Sequence, residues 1–230
     1  PAWPEGVSIP HPMTLYGIDA HSGGQRVPAV DPPGGLALFY YHADEASPNV
    51  KPGLMLRRFD TTTWKPFNEV FVEQQGDYGF AIAPGPVVAQ KNADGIGYAV
   101  TWRGPVENDG GYITATWIRL IDAQGSPAGG SVEIDPPSAY PGTGATVAWS
   151  GASFIVASNS RACPGDDAAC ANRLTVSSLS KLGLTKTAAA APNAGMRART
   201  PLLRSYGGQT WAAWREQLIT AKPENDPPSI

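Results

Sequence analysis

The sequence predicts an all-β fold assembled from about four imperfect repeats of nearly sixty residues, and three observations lead there. A strand, an Asp-led turn and a second strand recur along the chain. A short apolar strand, a Gly or Ser turn and a strand ending in an aromatic or polar residue precede most copies of that pair. The 26 Gly and 23 Pro are scattered as punctuation between short elements, and no segment shows a sustained helical period with caps.

The recurring pair is clearest at Ile118-Arg119-Leu120-Ile121-Asp122-Ala123 followed by Val132-Glu133-Ile134-Asp135-Pro136-Pro137. Near the N-terminus, Leu15-Tyr16-Gly17-Ile18-Asp19-Ala20 is followed by Val27-Pro28-Ala29-Val30-Asp31-Pro32-Pro33. Degenerate copies are Leu54–Asp60 with Glu69–Glu73, and Leu174–Ser180 with Thr187–Ala191. The preceding element is read at Pro86–Ala89 with Tyr98–Arg103, at Thr146–Trp149 with Phe154–Ser158, and at Pro201–Arg204 with Thr210–Arg215. These segments carry the β-branched and aromatic residues that suit a pleated, packed surface. Each unit is therefore a meander of strands a, b, c and d, and Ala99, Phe154 and Ala212 mark its recurrence.

A four-stranded meander cannot bury both faces alone, so the units are expected to stack radially as blades of a β-propeller. The order along the chain suggests how the ring closes. Residues 13–30 supply only a c–d pair and residues 201–215 only an a–b pair, so the two termini would join into one composite blade. Two features complicate a count of four. The segment Leu36–Tyr41 follows Pro33 directly, which leaves its blade without an innermost strand. Leu218-Ile219-Thr220-Ala221 could be a further c strand, which would make the chain a fragment of a larger propeller. A two-sheet sandwich is disfavoured by the repeat length. Residues 1–230 are expected to form a single domain, with 1–12 and 217–230 as extended tails.

On these repeats the chain resembles the β-propeller repeat proteins exported by bacteria. The resemblance implies an extracellular, cell-surface or periplasmic location and no particular chemistry, because one fold hosts many functions. Composition agrees with it. Arg outnumbers Lys eleven to six amid abundant Ala, Gly and Pro, and a start at Pro1 suggests a removed leader or a longer parent. Cys163 and Cys170 flank a Pro-Gly turn and are expected to form a short disulfide, worth about 2–3 kcal/mol on the chain-entropy model; half a metal site is the alternative. A net charge of −3 without a basic run excludes nucleic acid as a natural partner, and no apolar stretch is long enough to span a bilayer.

No motif declares a reaction. Ser205-Tyr206-Gly207-Gly208-Gln209-Thr210-Trp211 resembles the Asp-box hairpin of sialidase-like propellers, but its Asp is missing and it is one residue short, so it reads as a turn. Asp19, Asp60 and Asp122, with Ser180 in the fourth copy, recur at the end of strand c, where a side-chain oxygen can bond its own downstream backbone. Glu69, Glu73 and Glu133 fit a solvated outer edge. His11, His21 and His42 lack metal-ligand spacing, Asn92-Ala93-Asp94-Gly95 reads as a turn, and neither metal nor cofactor is expected.

The candidate site is the face where the b–c connections emerge: His42–Gly53, Gly104–Tyr112 and Ser160–Ala171. His42, Arg103 and Arg161 open these loops, Arg215 holds the same point in the composite blade, and acidic residues follow, among them Asp109. Trp102 and Trp214 hold equivalent positions near the end of strand b, with Tyr40 and Tyr41 beside them in the first blade. Packing between blades is the favoured role for these rings, and stacking on sugars the other. The expected function is a non-catalytic binding or scaffold module for a protein partner or a glycan. The alternative is a polysaccharide-active hydrolase or lyase, which would require one loop to break the pattern.

Overall fold

The computed structural model describes residues 27–30, 35–42, 52–60, 62–63, 65–74, 83–108, 111–138, 145–161 and 172–218. Among them no helix occurs and fourteen strands form four separate antiparallel sheets. The first sheet is β1 (Val27–Val30), β2 (Leu36–His42), β3 (Gly53–Phe59) and β4 (Pro66–Gln74). The second is β5 (Ala83–Ala89), β6 (Ile96–Asn108), β7 (Gly111–Asp122) and β8 (Val132–Ser138). The third is β9 (Ala145–Trp149), β10 (Phe154–Arg161), β11 (Asn172–Ser180) and β12 (Gly183–Ala190). The fourth holds only β13 (Met196–Tyr206) and β14 (Gln209–Leu218).

Within each four-stranded sheet the strands lie side by side in chain order. The sheets themselves stack in series, with β1 against β5, β5 against β9 and β9 against β13. Both faces of an inner sheet are consequently buried. In β6, Tyr98, Val100 and Trp102 join Phe39, Leu54, Leu56 and Val72 of the first sheet, while Ala99 and Ile96 join Val147, Phe154 and Val156 of the third. Ala148, Ala157 and Leu174 of the third sheet meet Leu203 and Trp214 of the fourth. Phe39 and Tyr98 meet edge to face at 5.6 Å, a geometry favoured by the ring quadrupoles. β3 of the first sheet is also a continuous buried run rather than an alternating one, with Leu54 and Leu56 in the core shared with the second sheet and Met55 and Phe59 in a cluster on the other face.

Several expectations are corrected. Val27–Val30 is the first strand of the first sheet, paired with β2 from Val27–Phe39 to Val30–Leu36, not strand d of a composite blade. Asp31-Pro32-Pro33-Gly34-Gly35 has turn composition, and so short a connection makes the local hairpin cheaper in closure entropy than a pairing across the chain. The sheet expected to be one strand short therefore has four. The β6–β7 ladder continues to Asn108–Gly111, so the expected loop Gly104–Tyr112 shrinks to residues 109–110. Asp135-Pro136-Pro137 lies within β8 rather than after it, an edge strand where a missing N–H is tolerated. Gln217 and Leu218, expected in a tail, end β14. Leu15–Ala20 and Ile219–Ala221 lie outside the described residues.

The turns follow the sequence closely. Asp122 Oδ1 accepts hydrogen bonds from the backbone N–H of Gln124 (2.9 Å) and Ser126 (2.8 Å). Asp60 Oδ1 accepts from Thr62 (2.7 Å) and Thr63 (2.8 Å). The N–H groups of Thr63 and then Thr62 hold the Asp60 carboxyl below the usual carboxylate range. Ser180 Oγ accepts from Leu182 N–H at 3.2 Å, and Asn92 Oδ1 from Asp94 and Ile96 at 3.0 Å each. Gly207 and Gly208, with φ of 59° and 76°, form the two-residue turn joining β13 to β14, a conformation that hairpin twist favours and side chains resist. Replacing Asp122 by Ala removes the oxygen that accepts both turn hydrogen bonds and is expected to cost about 1–2 kcal/mol in urea denaturation, with Asp122→Asn retaining part of it.

Candidate functional site

The two ends of the sheets differ. Strands a and b turn, and strands c and d turn, at one end, and there the sheets are stitched to one another. Arg58 Nη1 and Asn68 Nδ2 of the first sheet both donate to the Gln124 carbonyl in the β7–β8 turn, each at 2.6 Å. Lys181 Nζ, in the β11–β12 turn, donates to the Asp94 carbonyl of the β5–β6 turn at 3.0 Å. Gly125 has φ +94°, and a Cβ there would lie 2.9 Å from Asn68 Nδ2. The left-handed backbone and this close approach together require glycine.

Long connections leave from the other end, residues 43–52 after β2 and 162–171 after β10. His42 is the last residue of β2, in register with Gly53, and Arg161 the last of β10, in register with Asn172. Both strands therefore end where the candidate loops begin. Arg103 and Arg215 differ: each lies inside a strand, facing Thr116 on β7 and Arg199 on β13 respectively. Arg103 is half-buried and Arg215 exposed. The extension of β6 to Asn108 is what moves Arg103 away from the loop. Asp109 lies outside the described residues, as do Cys163 and Cys170.

The aromatic candidates face inward. Trp102 is 2% exposed and enclosed between the first two sheets. Trp214 packs against the core between the third and fourth sheets, and its Nε1–H donates to Glu216 at 3.3 Å. Both therefore face the preceding sheet from the same position on strand b. Tyr41 packs against the first core and burial raises its phenol pKa. Tyr40, 3% exposed, points to the opposite face of the first sheet among Leu38, Met55 and Phe59.

Around Tyr40 lies a polar cluster that sequence patterning missed. The Tyr40 hydroxyl donates to Glu69 Oε1, and Arg57 Nη2 donates to the same oxygen at 2.5 Å. The Arg57 guanidinium also lies 5.5 Å from the Tyr40 ring centroid. Burial, and then the bond to Glu69, push the Tyr40 pKa well above the usual phenol range. A second cluster joins sheets: Glu73 Oε2 accepts from Arg119 Nη1 at 3.1 Å and from Ser131 Oγ, and Arg119 Nε donates to the Gly129 carbonyl at 2.9 Å. Glu69 and Glu73 are thus ion-paired rather than merely solvated, while Glu133 is exposed as expected. The available signal was two Arg inside the apolar run Leu54–Phe59, since charges in a buried strand need partners.

Among the described residues no group of His, Cys, Asp and Glu is arranged to hold a metal ion, and no helix is long and apolar enough to cross a membrane. Comparison with known proteins finds no matching family model, no matching curated protein and no matching solved structure.

Proposed function

We propose that the chain is an exported, non-catalytic binding or scaffold module built as a β-propeller, engaging a protein partner or a glycan at the end where its b–c connections emerge. The observation that carries this reading is the inequality of the two ends. One is stitched sheet to sheet by Arg58, Asn68 and Lys181, which suits a fixed base. The other releases two ten-residue connections from strands that end in His42 and Arg161, and function gathers on loops carried by a rigid scaffold. Ring closure, with the N-terminal segment completing the two-stranded fourth sheet, is part of the proposal, and so is a Cys163–Cys170 bridge suited to an oxidising compartment. A larger ring, of which this chain is a fragment, is the other arrangement in keeping with the two-stranded sheet.

The test is binding. Arg161→Ala and Asp109→Ala are expected to weaken capture on a glycan array or in a pull-down tenfold or more, the scale of an interface hot spot, with the melting midpoint unchanged. A blank in both assays for the parent protein would sink the proposal. Turnover of a polysaccharide in place of simple capture would move the reading to a hydrolase or lyase.

A further inference from the structure

We infer that the seam between the second and third sheets, where it nears the loop end, binds the carboxylate of an acidic sugar, with Arg103 as its cation and the Thr116 hydroxyl as a donor beside it. This rests on the reading of the loop end as the binding face, and adds to it a ligand class and a site. It requires no closure of the ring.

The two walls of the seam follow from the registers. Ala99 and Ile118 of the second sheet meet Phe154, Val156 and Leu179 of the third in one core. Side chains two positions apart on a strand share a face, and so do directly paired residues. The β6–β7 pairing runs without a shift from Tyr98 to Asn108, so Thr101, Arg103 and Thr116 stand on the wall that carries Ala99 and Ile118. β10 and β11 pair without a shift from Phe154–Leu179 to Arg161–Asn172, which puts Ser158, Thr175 and Ser177 on the facing wall. The seam is thus apolar toward the short turns and polar toward the loop end. Between the first and second sheets, Tyr41, Trp102 and Trp117 fill the stretch near that end. Packing alone is served by rings there; here the same depth is given to hydroxyls and a guanidinium.

Arg103 stands at the mouth of this polar stretch. Tyr98 faces Ile121 and Phe154 faces Leu179, the last residues before the turns at Asp122 and Ser180. Counted from those pairs, Arg103 is level with Asn159, two positions before β10 ends at Arg161. Arg103 is half-buried, whereas its direct partner Thr116 is 2% exposed and Oγ1 has no hydrogen-bond partner among the described residues. Thr101, Ser158 and Ser177 are buried too. A hydroxyl withdrawn from water without a partner gives up its hydration for nothing in return. A carboxylate beside Arg103 repairs this, since it accepts charge-assisted bonds from the guanidinium and a further bond from the Thr116 O–H. The hydroxyls that flank a sugar's carboxylate then meet Ser158 and Thr175 across the seam. An aspartate or glutamate side chain brings only methylenes to that wall, which favours an acidic glycan over an acidic peptide.

Calorimetric titration of the full chain with trigalacturonate, with the neutral galactose trisaccharide and with a triglutamate peptide tests the site. The acidic trisaccharide is expected to bind roughly tenfold tighter than either of the others, and Arg103→Gln to abolish that preference. Thr116→Val is expected to weaken it about threefold or more while the melting midpoint holds or rises, because the lost hydroxyl bonds nothing in the unliganded fold. A hydroxyl that served the fold alone would do the reverse, lowering the midpoint and leaving affinity untouched. If Arg103→Gln does not accumulate, Thr116→Val and the comparison of ligands decide. No binding of trigalacturonate, equal binding of the neutral sugar, a preference for the peptide, or parental affinity in Thr116→Val overturns the site. Capture that survives Arg103→Gln but not Arg161→Ala leaves the loop-end reading standing without it. A parent protein that captures neither glycan nor protein overturns both.

Discussion

Trp102→Ala is expected to cost about 3–5 kcal/mol, the range for truncating a fully buried large aromatic. Its ring is 2% exposed and sits among Phe39, Leu54, Leu56, Tyr98 and Ile121, contributed by both of the first two sheets. Removing it opens a cavity at a seam between sheets, where each side is held by its own hydrogen-bond ladder and cannot readily collapse inward. For a chain of 230 residues the loss corresponds to a fall of roughly 6–20 °C in melting midpoint. Trp102→Phe retains most of the apolar area and should cost well under half as much. Binding through the loop end should survive in Trp102→Phe, because the indole has no exposed face to offer a ligand. If Trp102→Ala proves neutral to stability while a glycan or protein partner is lost, the ring is reaching the surface and the packing role is wrong.

The meander and its turns were legible because their signals are local. Asp122, Asp60 and Ser180 bond backbone groups two to four positions downstream, and a sequence carries that information within a single turn. Strands β9, β10 and β14 were legible for a related reason, since β-branched and aromatic residues cluster within them. The pairing of Val27–Val30 was not legible. Its motif Val-Pro-Ala-Val-Asp-Pro-Pro matches the d-strand motif Val-Glu-Ile-Asp-Pro-Pro, and only the short connection to Leu36 decides which neighbour it takes. The β6–β7 extension was hidden by Gly104-Pro105, which reads as a break although the ladder runs through it. The ion pairs were hidden by distance along the chain: Glu73 meets Arg119 46 residues away. At the candidate site, patterning placed His42 and Arg161 at the openings of long loops, where each proves to be the last residue of its strand, but it could not tell which side of a sheet Tyr40 and Trp102 would face.

Loss of the Glu69 carboxylate is expected to be the other large effect. Arg57 is 1% exposed, and among the described residues its Nε and Nη1 find no hydrogen-bond acceptor and Glu69 Oε1 supplies its carboxylate contact. Glu69→Ala leaves that guanidinium buried without its counter-charge and strips the Tyr40 hydroxyl of its acceptor. Breaking one side of a buried pair costs about 3–5 kcal/mol; the partial exposure of Glu69, 32%, places the expected loss near the lower end. Arg57→Met follows different physics. It removes the charge together with two donors that lack acceptors among the described residues, keeps an apolar side chain of similar length beside the Tyr40 ring, and should be nearly neutral. The double variant Arg57→Met/Glu69→Ala should accordingly be more stable than Glu69→Ala alone, a reversal that urea denaturation of the four proteins would reveal. A Glu69→Ala loss below about 1 kcal/mol would instead be the signature of a surface pair. In that case water reaches Arg57, and the face of the first sheet bearing Tyr40, Met55 and Phe59 is open to solvent rather than sealed.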